Sequence, residues 1–526
     1  MAHDDRREQK PRRIPPLFIP DTAVRRLGAR VLDPATAARV TGDAMPEPTA
    51  YIGDVLIVPG IVGRSADRGL GVLEGVAKER GYAVVPQDDP SLTFATRNEL
   101  LDLLDKVGHT VVRLIPLDEG DRDRRVSTTP VDAWEVLQAA RAADQAAVAG
   151  IGLSHVMTAS GWGQGVGWGQ GVGWGQGVGW GQGVGWGQGV GWGQGVGFGP
   201  GDRIPVVWSA PPPARSKGGP VVATLDTGLG EHEWFVEGDG AERLPEPLGM
   251  PHEDDGVTID LVNGQLDPLA GHGTFIAGVV RQHCPDVTIL SVPVMWGDGV
   301  ADETQVVQAL AGLCLRQELA LRADGDPSSA IDVVTLSLGY RHETPGAFDD
   351  EQALFRVLRG LAELGVTIVA AVGNDATDVE FYPAALASQI TTGAPMVSVG
   401  ALNPDRRTVS IYSNTGAWVL AYAAATSVVS TMPTTFNASR HSELLRQANP
   451  AVLPKVPTRG APDSDDYSGG FGLWSGTSFA APALAGDIAS RLGTDQSAPA
   501  DKRSERAREI VAAALGSAAK AIEDRP

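Results

Sequence analysis

The chain has 526 residues, 42% hydrophobic and 20% charged, a composition expected of a globular protein too long for one ordinary core. Its net charge of −21 excludes a general grip on phosphate backbones, and no stretch is long and apolar enough to span a bilayer. The only cysteines, Cys284 and Cys314, are too few for a disulfide framework and lack metal-ligand spacing; with no secretory pattern at the start, the expected compartment is the cytoplasm.

Residues 1–49 mix charge, Pro and Ala without a period and read as a flexible tail. Residues 50–156 read as a small α/β module. DVLIVPG at Asp54, YAVVPQ at Tyr82 and TVVRLIPLD at Thr110 have the pattern of strands. GLGVLEGVAKERG at Gly69, NELLDLLDKVG at Asn98 and VDAWEVLQAARAA at Val131 have that of helices. Residues 157–202 form a low-complexity linker: Gly fills every odd position from Gly161 to Gly201, and six copies of GWGQGV run from Gly161 to Val196. In an extended chain Gly lines one face and Trp, Gln and Val the other, so the segment reads as a tether with a sticky face able to associate with itself or a partner, with a plain disordered linker as the commoner alternative. No Lys or Arg lies between Gly161 and Pro200, so nucleic acid is not an expected partner despite the indole rings.

From 203 to 526 β-branched strands alternate with long helical patterns. PVVATLDTG, VTILSVPVM, DVVTLSLGY, VTIVAAVGN and MVSVGAL are the strands. HGTFIAGVVRQ, ETQVVQALAGLCLRQELALR and DEQALFRVLRGLAELG lie between them as helices. Near-continuous Val, Ile and Leu in the strands indicate a mainly parallel sheet covered on both faces, a three-layer α/β domain whose site gathers at the carboxyl ends of the strands.

Polar residues occur at those ends. Asp226 closes the first strand, Ser337 and Asn374 close two others, and His272 and Ser478 open helices. Singly, each has a plain structural role: a turn former, a capping or core histidine, an N-cap with Pro482 in the first turn, or a left-handed Asn. Together they make a nucleophile, its base and the acid that fixes the base's tautomer, with amide donors for an oxyanion.

DTG at Asp226, HGTFIAG at His272, SLG at Ser337–Gly339, AAVGN up to Asn374 and GTSFAAP around Ser478 resemble the subtilisin-like serine peptidases, peptidase family S8. The resemblance covers roughly Ile204 to Arg525 and implies a serine endopeptidase acting on polypeptides through an acyl-enzyme, with no cofactor required. It implies Asp226 as the orienting acid, His272 as the base, Ser478 as the nucleophile and Asn374 as the oxyanion donor. Ser337, Leu338 and Gly339 would pair with the substrate backbone. Phe275, Ile276 and Val279 are expected to pack the His272 helix, with Gly278 permitting close approach.

Three features depart from the family pattern. The 226–272 connection is long and acidic and is expected to be a solvated surface loop; AYAAATSVVSTMP leaves its turn open. PDSDDYSGG, in the insertion before Ser478, has carboxylates that suit Ca²⁺ but no established loop geometry, so an unliganded loop is expected. Residues 50–156 have the position and element order of an inhibitory propeptide; a recognition domain is the alternative. The competing function for the whole chain is a catalytically silent binding or assembly protein that uses the scaffold and the repeat.

Overall fold

The computed structural model describes residues 17, 19–39, 45–88, 97–117, 130–159, 203–208, 210–216, 218–244, 250–344, 350–438, 445–446, 459–460, 463, 465–493 and 497–523. The GWGQGV repeat lies outside the described residues. In chain order the first part holds α1 (Asp21–Leu27), β1 (Ala29–Leu32), β2 (Thr49–Pro59), α2 (Ala66–Glu79), β3 (Tyr82–Pro86), α3 (Asn98–Val107), β4 (His109–Pro116), α4 (Ala133–Asp144) and β5 (Gly152–Ala159). After the repeat come β6 (Ile204–Pro205), β7 (Val221–Asp226), β8 (Val236–Glu237), β9 (Gly240–Arg243), α5 (His272–His283), β10 (Thr288–Pro293), β11 (Val300–Asp302), α6 (Glu303–Leu321), β12 (Val333–Leu336) and β13 (Leu338–Gly339). The chain ends through α7 (Ala353–Glu363), β14 (Thr367–Ala371), β15 (Met396–Leu402), β16 (Ala421–Ala424), β17 (Val428–Thr431), β18 (Leu445–Arg446), β19 (Arg459–Gly460), β20 (Phe471–Trp474), α8 (Thr477–Leu492) and α9 (Ala500–Glu523).

The main sheet has the order β16-β15-β14-β12-β7-β10-β9-β8, with every one of these pairings parallel. Its central strands β7, β12, β14 and β15 are wholly buried, in keeping with their largely apolar sequences. The helix pairs α5–α8 and α6–α7 cover it. From β7 the chain moves to β10 on one side and then back to β12 on the other, so β7 stands at the topological switch point where such sheets form their crevice. Asp226 is its last residue.

The first part is tied to the domain that follows the repeat more closely than the repeat between them suggests. Its sheet, β3-β4-β2-β5, continues into β11, and β13 also pairs with β5. Leu100, Leu104 and Val107 of α3 and Met157 of β5 belong to the same apolar cluster as the core of the main sheet. The expected tail is ordered in part: α1 leads into β1, which pairs antiparallel with β2, and Arg26 reaches Asp298, beyond the repeat, at 2.7 Å. Strand β5 carries no alternation to betray it in sequence, because it is buried on both faces.

The 226–272 connection is not the solvated loop its acidity suggested. Trp234, Phe235, Met250, Glu253, Leu266 and Leu269 are all buried. Pro482 is the sixth residue of α8 rather than part of its first turn. The turn left open in AYAAATSVVSTMP passes through Ser427 at φ 58° between β16 and β17. Among the described residues no helix is long and apolar enough to cross a membrane.

Candidate active site

Three chain segments converge on the switch point. β7 ends on Asp226, whose Oδ1 accepts the Thr227 N–H at 2.8 Å and lies 2.7 Å from His272 Nδ1. Both side chains are buried, and with the ring hydrogen on Nδ1 facing the carboxylate, Nε2 is the nitrogen open to a further partner. His272 is the first residue of α5, which is buried around its whole circumference through Arg281. A Cβ on Gly278 would stand 2.2 Å from Thr431 Oγ1, so the expected close approach there is real. The rings of Trp474 and Phe479 flank the His272 imidazole at 5.3 and 5.5 Å, keeping water from its sides.

Ser478 is the second residue of α8, next to the positive end of the helix dipole. Asn374 follows Gly373, whose φ of 94° is a left-handed conformation, and a Cβ there would also meet Asn414 Nδ2 at 2.7 Å. Asn374 Oδ1 accepts the Thr477 N–H at 2.9 Å, which orients the amide so that Nδ2 is its remaining donor. Asn374 Nδ2, Ser478 Oγ and His272 Nε2 are all buried, and none has a hydrogen-bond partner among the described residues. Buried polar atoms are ordinarily paired, so three unpaired ones gathered between one strand end and two helix starts point to a site built for something else to occupy.

Strand β13 forms a wall of this site. Leu338 and Gly339 pair antiparallel with Ala159 and Thr158 of β5, and Ser337 Oγ donates to Ser478 O at 2.8 Å. On its other edge β5 pairs antiparallel with β11, Thr158 opposite Val300, while the Ala159 N–H donates to Gly299 O at 2.8 Å. The end of the N-terminal module therefore lies as the middle strand of three, along the segment expected to receive a substrate backbone.

Sequence reasoning missed Glu253. This fully buried carboxylate accepts the Thr227 hydroxyl, the Gly271 N–H at 2.8 Å and the Thr274 hydroxyl at 2.9 Å, linking the turn after Asp226 to the start of the His272 helix. Burial pushes its carboxyl up to about 7, with Asp226 adding to the rise and the hydrogen bonds opposing it. Of the PDSDDYSGG carboxylates, Asp465 accepts the Leu266 N–H at 3.2 Å and Asp466 the Ser468 N–H at 3.0 Å.

A family model, the subtilase family, matches residues 217–521. The chain belongs to the subtilase family. It is a serine-type peptidase, a hydrolase whose substrates are polypeptides. Among solved structures this subtilase is similar to a cold adapted subtilisin-like serine proteinase, with 23% identity over 55% of this chain and 81% of that one and a TM-score of 0.34. It is also similar to a lanthipeptide protease, with 20% identity over 55% of this chain and 77% of that one and a TM-score of 0.36. No curated protein matches the subtilase chain.

Proposed function

We propose that this subtilase is an endopeptidase in which Ser478 is the nucleophile, His272 the general base and then acid, and Asp226 the residue that holds the imidazole. Ser478 Oγ attacks the scissile carbonyl carbon while its proton passes to His272 Nε2. The oxyanion of the tetrahedral intermediate takes hydrogen bonds from Asn374 Nδ2 and the Ser478 N–H. His272 then gives the proton to the leaving amine as the C–N bond breaks, and water, activated by the same imidazole, hydrolyses the acyl-enzyme. The observation that carries this reading is the trio of unpartnered buried atoms, Ser478 Oγ, His272 Nε2 and Asn374 Nδ2, beside the 2.7 Å His272–Asp226 contact. A serine–histidine hydrogen bond often tightens only in the complex with substrate.

The second part of the proposal is that the N-terminal module inhibits the enzyme by placing β5 where a substrate strand would lie. Support comes from the pairing of β5 with both β11 and β13. An extended peptide added between two strands gains backbone hydrogen bonds on both edges, which suits both a substrate and a substrate-like inhibitor. The free, buried thiols of Cys284 and Cys314 are compatible with a cytoplasmic setting, which we retain as the proposed compartment.

A fluorophosphonate probe tests the catalytic assignment. The full-length chain with β5 loosened by Ala159→Pro should be labelled on Ser478, and adding either Ser478→Ala or His272→Ala should abolish labelling. Labelling that survives Ser478→Ala would overturn it.

A further inference from the structure

Strand β5 enters the groove through a polar box that the catalytic scheme leaves unused. Alternation puts His155, Met157 and Ala159 on one face of the strand, all three buried. The His155 ring stacks on Tyr340 with centroids 4.1 Å apart and 19° between planes. Its Nδ1 lies 2.6 Å from Glu303 Oε2 and its Nε2 lies 2.8 Å from Glu343 Oε2. Glu303 opens α6, and Tyr340 and Glu343 follow β13, so the box belongs to the peptidase domain and its occupant to the N-terminal module.

Ionised carboxylates only accept hydrogen bonds, so a ring with a carboxylate on each nitrogen is doubly protonated. Burial pulls His155 down, but the fields of Glu303 and Glu343 outweigh it and hold the imidazolium up at about 9. Such a ring has no lone pair left for a metal ion. His342 beside it is committed elsewhere: its Nδ1 accepts the Thr344 N–H at 3.0 Å, and its Nε2 faces Gln352 Oε1 at 3.1 Å. Glu343 has a further oxygen, Oε1, that is buried and has no partner among the described residues. The box thus holds one cation and has an acceptor to spare.

We propose that Glu303, Glu343 and Tyr340 form a cation-recognising subsite of the peptide groove, selecting substrates with a basic side chain four residues before the one that pairs with Leu338. The inference rests on reading β5 as a stand-in for substrate. When β5 leaves, two buried carboxylates lose their counter-charge. A neutral side chain leaves them unpaired and an acidic one adds repulsion, so the box discriminates by exclusion as well as attraction. Lysine suits it better than histidine. It arrives charged at neutral pH, and its three donors match Glu303 Oε2 and both oxygens of Glu343.

Two measurements on the full-length chain test this. The first is amide exchange of Gly152–Ala159. His155→Lys should keep protection within about threefold of the natural chain, whereas His155→Gln and Glu343→Gln should each lower it about tenfold or more, and the pair together no further than one alone. Equal protection in His155→Lys and His155→Gln would overturn the inference. The second is hydrolysis of peptides copying residues 152–163, carried out by the full-length Ala159→Pro chain, in which β5 is loosened. With the residue at the His155 position changed, kcat/KM should fall in the order Lys, His, Gln, Glu, with Lys over Gln at least about tenfold, and Glu303→Gln with Glu343→Gln should bring that ratio near one. Peptides cleaved without that order would sink the subsite and leave the peptidase reading standing. Charge-dependent protection with no hydrolysis and no labelling of Ser478 would sink the peptidase reading instead, leaving the box as a docking contact for the module.

Discussion

Ser337 completes the backbone of Ser478. Pro482 lies four residues beyond Ser478 in α8 and has no N–H, so the Ser478 carbonyl lacks its helical donor; the Ser337 hydroxyl supplies one at 2.8 Å. One serine at the end of a sheet strand thereby fixes the turn of helix that carries the other.

Ser337→Ala should leave that carbonyl buried and unpaired, costing about 1–2 kcal/mol of stability and roughly tenfold in kcat. Pro482→Ala restores an N–H to the helix. The pair Ser337→Ala with Pro482→Ala should therefore recover most of the stability. Denaturant unfolding of the three variants checks it, and a double variant no more stable than Ser337→Ala would refute the account.

Asn374 has two jobs on two atoms: Oδ1 receives the Thr477 N–H and Nδ2 is left for an oxyanion. Asn374→Ala removes both and should cut kcat about 100- to 1,000-fold with little change in KM, the usual loss for one such donor. Asn374→Asp keeps an acceptor for Thr477 but buries negative charge where negative charge develops, so it should be at least as slow, and the uncompensated charge should also lower its stability. Steady-state kinetics with a parallel melting curve separates the two effects.

The peptidase domain was legible because its physics is local. Continuous Val, Ile and Leu runs declare buried parallel strands, and Asp226, His272, Asn374 and Ser478 lie where strands end and helices begin. What escaped was set by distant contacts. Glu253 sits in an acidic stretch and reads as solvated, yet it is buried because Thr227, Gly271 and Thr274 turn their donors toward it. GLSHVMTA of β5 has neither alternation nor a long apolar run, and its strand partners are all distant in sequence, β2 far earlier in the chain and β11 and β13 far later. His155 carries no signal of its own in the sequence, because the Glu303 and Glu343 carboxylates on its two ring nitrogens come from far along the chain.

Docking of β5 rests partly on one bond, the Ala159 N–H to Gly299 O at 2.8 Å, adjacent to the pairing with Leu338. Ala159→Pro removes that donor without touching the peptidase domain. Losing a buried hydrogen bond and stranding a carbonyl costs about 1–3 kcal/mol, so the closed population should fall and basal peptide hydrolysis should rise about tenfold. Unchanged hydrolysis in this variant would argue that the module does not block the groove.

Glu253 makes the site sensitive to pH from within. Its carboxyl, raised by burial from 4.5 to about 7, prefers to keep its proton in the folded chain. Below pH 4.5 folded and unfolded chains are both protonated at this group, and it imposes no penalty. Between 4.5 and 7 the unfolded chain ionises first, so the group's contribution to stability is progressively lost, by on the order of 3 kcal/mol. Above 7 the folded chain ionises too, and a second negative charge then stands near Asp226. Glu253→Gln carries no titrating proton, so its stability should decline less between pH 4.5 and 7 than that of the natural chain. Matched melting profiles over that range check the slope, and parallel profiles for the two proteins would mean that Glu253 does not titrate there.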